Sequence, residues 1–285
     1  MSTLEPINDS NKQEAIEFLL RHEEYTLFLL SNLSEHGASL IDAPNSGNFK
    51  LIRSNGKIVA VFCLTRRSTL LMQTEVVTPQ LFDTVLTACQ KEPIVLSGVI
   101  GEWTACSALW EYLKSKQVIT KETLISKEVL YKADLKGHSF EQQQNARQLL
   151  PQEYGEWRKL RDHYVKEMGF PDPLTEAQKE EEYFSKIKAK IQWGVFENNT
   201  LVTIGDLNAK AQDLGQVGGV FTLPEFRGRG LAKVLMKQIM KDAQLIHNLR
   251  SLIIFTDEGN TKARKVYEGL SNVKFVGYYA LLFGE

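Results

Sequence analysis

Arg227-Gly228-Arg229-Gly230-Leu231-Ala232 follows a β-like run, Gln216 to Thr222, and leads straight into an amphipathic one. Leu231, Val234, Leu235, Ile239 and Ala243 recur at helical spacing, so the glycines open a helix. The first N–H groups of a helix have no partner within it, and the dipole is positive at that end. A phosphate can settle there if side chains stay out of the way, and two glycines keep them out. Spacing separates the known kinds of phosphate loop. Gly, four residues, then Gly-Lys-Ser/Thr occurs nowhere in the chain, and the third glycine of a dinucleotide fingerprint is replaced by Lys233. What remains is Arg-x-x-Gly-x-Ala, formed by Arg227, Gly230 and Ala232. Taken alone, these six residues also suit an ordinary Gly-Arg turn before a surface helix.

The context favours the anion site. Arg-x-x-Gly-x-Ala resembles the acyl-CoA pyrophosphate loop of the GNAT superfamily of N-acyltransferases, and Val220 to Phe226 resembles that family's fourth strand and its exit turn. The resemblance implies that Arg227, Gly228, Arg229, Gly230, Leu231 and Ala232 hold the donor's pyrophosphate. It also implies that the backbone of Val220, Phe221 and Thr222 binds the pantetheine arm and polarises the thioester carbonyl. Ser251 to Thr256 reads as a buried strand, Asp257-Glu258-Gly259-Asn260 as a turn, and Ala263 to Leu270 as a short helix. Asn260, Ala263 and Tyr267 match the spacing of the second half of the family's CoA site. By that resemblance Asn260 bonds the arm, and Tyr267 protonates the departing thiolate as general acid. An aromatic packed on the sheet would explain Tyr267 equally well on its own.

The match has departures. The family's Gly-Phe soon after the Tyr is absent, since the chain continues Glu268-Gly269-Leu270-Ser271-Asn272. Only one further strand, Gly277 to Phe283, fits before the terminus, so another segment is expected to cover the edge that a final strand would cover. Gln216 to Thr222 lacks the carboxylate that many relatives use as general base. Glu225 lies beyond the strand in the turn. Asp206, at the end of a Leu201 to Leu207 strand, is the nearest acidic candidate, although Asp at a strand end is also a common turn former.

At 285 residues the chain can bury two cores. Its 43% hydrophobic and 24% charged content are those of a globular protein, and a net charge of -1 gives no general pull toward nucleic acid or anionic membrane. A nucleic-acid patch of Arg227, Arg229, Lys233 and Lys237 is less economical than a site for one phosphorylated ligand. Cys63, Cys89 and Cys106 lie far apart in apolar surroundings and read as reduced core thiols; with the five histidines they show no metal-ligand spacing, so no metal is expected. Without a signal peptide or an apolar span, the cytoplasm is the expected location.

Along the chain, residues 13–33 read as one helix, Phe49 to Arg53 and Lys57 to Leu64 as a hairpin on Asn55-Gly56, and Ser68 to Val76 as a third strand. A helix from Gln80, a strand from Pro93 to Ile100, a helix from Trp103 and two strand-like pieces over Thr120 to Leu135 follow. At Gly101-Glu102-Trp103-Thr104, taken as the place of a phosphate loop, Glu102 and Trp103 would repel or obstruct a pyrophosphate. The first half is then a degenerate GNAT-like domain or an unrelated α+β domain. Residues 137–146, polar and aperiodic, read as a linker. Helices Glu153 to Met168 and Glu176 to Ile191 follow, then strands Trp193 to Glu197 and Leu201 to Leu207; Tyr154, Tyr164, Phe170 and Tyr183 are candidates to line an acceptor pocket.

The expected architecture is α/β with tandem GNAT-like domains, residues 1–136 and 147–285, each a mixed, mostly antiparallel sheet flanked by helices. The resemblance implies acetyl-CoA as donor, a small-molecule or peptide amine as acceptor, and direct attack in a ternary complex, with neither nucleic acid nor membrane as partner. The different-class alternative is a CoA-sensing or interaction protein that kept the donor loop and lost catalysis.

Overall fold

The computed structural model describes residues 2–169 and 174–285. Phe170 therefore lies outside the described residues. The chain forms two compact units: Met1–Leu130 with Thr256–Asn260 and Val276–Glu285, and Tyr131–Phe255 with Thr261–Phe275. The segment 137–146, expected as a linker, falls within the span of the second unit. No helix among the described residues is long and apolar enough to cross a membrane.

The first unit contains β1 (Ser2–Pro6), α1 (Lys12–Leu20), α2 (Glu23–His36), β2 (Gly47–Ser54), β3 (Lys57–Thr65), β4 (Thr69–Thr74), α3 (Pro79–Gln90), β5 (Gly98–Glu102), α4 (Trp103–Ser115) and most of β6 (Glu122–Asp134). Pairing is antiparallel from β1 through β4 and parallel between β4 and β5. Asn55 and Gly56 make the β2–β3 turn with φ of 50° and 79°, the left-handed pair that matches strand twist in a two-residue hairpin. The single helix expected over 13–33 is two. The break falls at Arg21-His22, where Thr26 Oγ1 donates to Leu19 O at 2.7 Å, and no Gly or Pro marks it. Thr120 to Leu135, read as two pieces, holds one long strand, β6. Cys89 and Cys106 pack in the main core of this unit, and burial pushes the Cys63 and Cys89 thiols up to about 12.

The second unit repeats the order. It runs β7 (Ala146–Gln148), α5 (Tyr154–Met168), α6 (Glu176–Lys188), β8 (Gln192–Glu197), β9 (Thr200–Ala211), β10 (Leu214–Thr222), α7 (Leu231–Leu245), β11 (Ser251–Asp257), α8 (Thr261–Glu268) and the start of β12 (Val273–Gly284). Antiparallel pairs join β7 through β10, and a parallel pair joins β10 to β11. Strand, two helices, three strands, helix, strand, helix, strand is the order of both units, with the same sense at each pairing. The last strands differ from expectation. The end of β12 pairs with β5 in the first unit, and β6, whose final residues belong to the second unit, stands beside β11 and covers that edge.

This repeat corrects one expectation. The counterpart of the Arg227–Ala232 loop is the β4–α3 connection, Glu75 to Thr78, whereas Gly101–Thr104 corresponds to the β11–α8 turn. Neither connection leaves a helix start open. Thr78 Oγ1 accepts from Leu81 N–H at 3.3 Å ahead of Pro79, and the Glu102 carboxylate accepts from Thr104 N–H and Ala105 N–H, each at 2.9 Å.

In the second unit, α7 covers one face of the sheet and α5 and α6 the other. Gly205 lets α7 approach, since a Cβ there would stand 2.9 Å from Leu235 Cδ2. On the opposite face Trp157, Leu160, Tyr183, Ile204 and Phe221 form a core; a buried side chain of this size contributes about 2 kcal/mol. Beneath α7, Trp193 Nε1 donates to Asp242 Oδ2 at 2.7 Å and Gln238 Nε2 donates to Asp242 Oδ1 at 3.0 Å. Asp242→Ala strands both buried donors, and urea unfolding is expected to show a loss of about 3 kcal/mol.

Candidate active site

A bulge on each strand shapes the β9–β10 pair, with Asn208 the extra residue on β9. The antiparallel register of β10 with β9 shifts between Gln216 and Val217 and again between Gly218 and Phe221, while its parallel register with β11 extends from Leu214–Ser251 to Val217–Ile254. At the second bulge Gly219 and Val220 face the single residue Gly205, and Gly219 takes φ +60°. A left-handed residue at this place requires glycine at little cost, and the bulge turns the ends of β10 and β11 apart.

Beyond the strand the chain turns through Pro224–Phe226 and reaches the glycines. Gly228 and Gly230 have φ of 78° and 77°, and a Cβ on either would meet nothing within 4 Å. The requirement for glycine is therefore conformational in the free protein, and the space above the loop is open. Gly230 is the N-cap of α7 and supplies no side-chain cap, so the N–H groups of Leu231 and Ala232 face outward as a positive helix end. Arg227 latches the loop: Nε donates to Thr222 O at 2.8 Å and one terminal nitrogen donates to Glu167 at 2.6 Å, with the guanidinium over the Phe221 ring. Arg229 is held less tightly, donating to Glu197 at 3.0 Å and to Glu225 O at 3.1 Å.

Asp206 is not at a strand end, as the sequence suggested, because β9 continues to Ala211. It lies mid-strand and buried, opposite Gly218 on β10 and Gln192 on β8. Its Oδ2 accepts from Lys186 of α6, and its Oδ1 has no partner. A Cβ on Gly219 would stand 3.3 Å from that free oxygen, so Asp206 abuts the bulge. Burial raises the Asp206 pKa, and the Lys186 ammonium opposes the rise. Tyr267 of α8 is buried with its ring 5.9 Å from that of Tyr131. Tyr131 donates to Glu268 at 2.7 Å, and burial pushes its hydroxyl up to about 12, the Glu268 carboxylate adding to the effect.

Residues 157–270 match the family model described as acetyltransferase (GNAT) family. Those residues form a GNAT-family domain. No curated protein matches the chain by sequence. Among solved structures, a Drosophila protein aligns over 99% of both chains at 12% identity with a TM-score of 0.70. A GNAT-family acetyltransferase from Colwellia psychrerythraea covers 99% of this chain and 100% of its own at 15% identity and a TM-score of 0.56. A tandem GNAT protein from the clavulanic acid biosynthesis pathway covers 99% and 97% at 13% identity and a TM-score of 0.50. At these identities the likeness establishes the fold, and it extends over both units.

Within the GNAT domain the structure brings together the bulge of β10, the loop from Arg227 to Ala232 and Asp206 around one end of β10. Asn260 belongs to the other compact unit, where its N–H donates to Asp257 O at 2.9 Å in the turn before α8. Of the aromatic candidates, Tyr183 is a core residue whose hydroxyl donates to Leu150 O at 2.6 Å, Tyr154 packs on the same core, and Tyr164 meets Phe221 edge-on. Lys186, Gln192 and Gln216 escaped attention in the sequence. The available signal was polar residues inside otherwise apolar strands, Gln192 before Trp193 and Gln216 before Val217. Because open space surrounds Gly228 and Gly230, alanine at either position is resisted by backbone conformation alone; each change is expected to cost about 1 kcal/mol in urea unfolding without loss of the folded state.

Proposed function

We propose that this protein is an N-acetyltransferase that moves the acetyl group of acetyl-CoA to a small-molecule or peptide amine by direct attack in a ternary complex. The observation that carries the proposal is the uncapped start of α7 behind two left-handed glycines, placed directly after a strand that a bulge has freed from regular pairing. The loop suits a diphosphate: the N–H groups of Leu231 and Ala232 and the helix dipole attract it, and Gly228 and Gly230 offer no side chain to block it. Arg227 fixes the loop to β10, and Arg229 adds positive charge. The backbone of Val220, Phe221 and Thr222 offers the hydrogen bonds for the pantetheine amides, and bulge N–H groups polarise the thioester carbonyl.

In this proposal Asp206 removes the proton from the bound ammonium, using the oxygen that faces the bulge. Burial raises its pKa, which makes it a stronger base than an exposed aspartate. The neutral amine attacks the carbonyl carbon, the C–S bond breaks as Tyr267 gives the thiolate a proton, and the second proton that the nitrogen loses on becoming an amide returns Tyr267 to its neutral form through solvent. The neutral form of a tyrosine dominates at neutral pH, so the acid is ready without activation. A protein that binds CoA without turnover is the competing account, and the Lys186–Asp206 ion pair favours it to the extent that the pair never opens.

Gly230→Glu places bulk and negative charge at the helix start. Calorimetry is expected to show acetyl-CoA affinity reduced by at least about a hundredfold in a folded variant; unchanged affinity would remove the donor-site assignment. Tyr267→Phe deletes only the hydroxyl. Single-turnover measurement is expected to show the chemical step slowed by about 10² or more with donor affinity retained, and full turnover would return Tyr267 to a packing role.

A further inference from the structure

Ser126 and Glu128 of β6 and Asp257, the last residue of β11, meet inside the first compact unit. Their two-residue spacing puts Ser126 and Glu128 on one face of the strand. Ser126 Oγ stands 2.5 Å from Glu128 Oε1 and 3.0 Å from Asp257 Oδ2. A serine hydroxyl has one proton to donate, and an ionised carboxylate has none. Both contacts cannot be hydrogen bonds while both carboxylates are charged. The trio therefore holds one proton more than the hydroxyl brings.

The surroundings decide which carboxyl carries it. Glu128 is 6% exposed, whereas Asp257 faces water and its Oδ1 accepts from Gly259 N–H at 2.8 Å, a bond that favours the charged form. Burial raises the Glu128 pKa, the Ser126 hydroxyl opposes the rise, and the negative charge of Asp257 adds to it. Among the described residues no cation pairs with either carboxylate. The neighbouring ammonium, that of Lys127, lies on the opposite face of the strand, 3.3 Å from Glu258 and 3.9 Å from the centre of the Tyr278 ring. A proton on Glu128 satisfies every contact: Glu128 donates to Ser126 Oγ, and Ser126 donates to Asp257 Oδ2, both at lengths ordinary for O–H···O bonds.

We propose that Glu128, Ser126 and Asp257 share a single proton carried by Glu128, and that this proton fastens the turn after β11 to β6 as a pH-sensitive clasp. The backbone ties the same turn at the next position, where Glu258 N–H donates to Lys127 O at 2.9 Å. When Glu128 ionises, one hydroxyl faces two charged acceptors, so Ser126 keeps one bond and the other contact becomes repulsive. Because the shift is upward, the stabilisation given by the clasp is complete below the ordinary glutamate value of 4.5 and is lost as pH rises through the value that Glu128 takes in the folded chain. The clasp belongs to the first unit and does not depend on the acyltransferase reading.

The test uses the full chain without ligand. Carbon-13 NMR of protein labelled in its glutamates is expected to show the Glu128 carboxyl, assigned through its backbone, titrating at higher pH than the exposed glutamates. In Glu128→Gln the side-chain amide donates to Ser126 as the protonated acid does and never ionises. In urea unfolding, the unfolding constant of the wild type relative to this variant is therefore expected to rise by up to about tenfold per pH unit above pH 4.5, until Glu128 is fully ionised. Amide exchange is expected to show protection of the Glu258 N–H falling over the same range in the wild type and holding steady in the variant. A Glu128 signal that titrates with the exposed glutamates, or a ratio of unfolding constants that does not change with pH, overturns the shared proton. Unchanged protection of Glu258 while Glu128 ionises overturns the clasp. If the variant fails to fold, the NMR titration and amide exchange of the wild type still decide both points.

Discussion

One residue too many between two hydrogen-bonded pairs organises the candidate site. Where β10 bulges opposite Gly205, the ladder with β9 loses its regular spacing and the strand turns away from its course alongside β11. Gly219 makes this possible by adopting a left-handed conformation, and the absence of its side chain leaves Asp206 a free oxygen directed at the same backbone. A regular strand here would pair its backbone fully and give no substrate anything to bind. The local loss of pairing is supported by what surrounds it: Phe221 anchors the strand in the core with Ile204 and Trp157, and Arg227 ties the following loop back to Thr222 O. The cost of irregularity is thus confined to a few residues held on both sides.

The two units show what the same order of elements does with and without this feature. In the first, β4 and β5 run in regular parallel register from Thr69–Gly98 to Met72–Gly101, and the β3–β4 register has no shift. The helix after β4 is capped by Thr78 and the helix after β5 by Glu102. In the second, the strand bulges and the helix starts on an uncapped glycine. The family's fold is present over the whole chain, whereas the irregular strand and open helix start stand together only in the second unit.

The sequence displayed the parts governed by local rules. Asn55-Gly56 specified a hairpin because few residues accept its positive φ, the apolar spacing from Leu231 to Ala243 specified α7, and the glycines around Arg229 marked an unobstructed helix start whose left-handed conformation the structure supplies. It concealed what depends on distant partners. The break at Arg21-His22, where both side chains meet the Glu75 carboxylate, is marked by no helix breaker. Asp206 reads as a turn former because the strand continues through Asn208 and Lys210, polar residues that face outward beyond the helices. The exchange of the last strands is invisible to periodicity, since Gly277 to Phe283 looks the same whichever edge it joins. Gln192 is a single polar residue at the start of an apolar strand, and only the register places it opposite Asp206.

Glu102 carries a consequence of its own. Its carboxylate takes the second and third N–H groups of α4, those of Thr104 and Ala105, so that helix has an anion supplied by the chain itself at a high effective concentration. Helix α4 is therefore capped without any bound ligand. Helix α7 has no such internal anion, because its N-cap Gly230 supplies no side-chain cap; under the proposed donor-binding reading, a bound donor would stabilise its end with the logarithmic dependence of folding free energy on free concentration. Under that reading the two helix starts of a repeated fold differ in thermodynamic kind: one carries its anion within the chain, and the other takes its anion from solution.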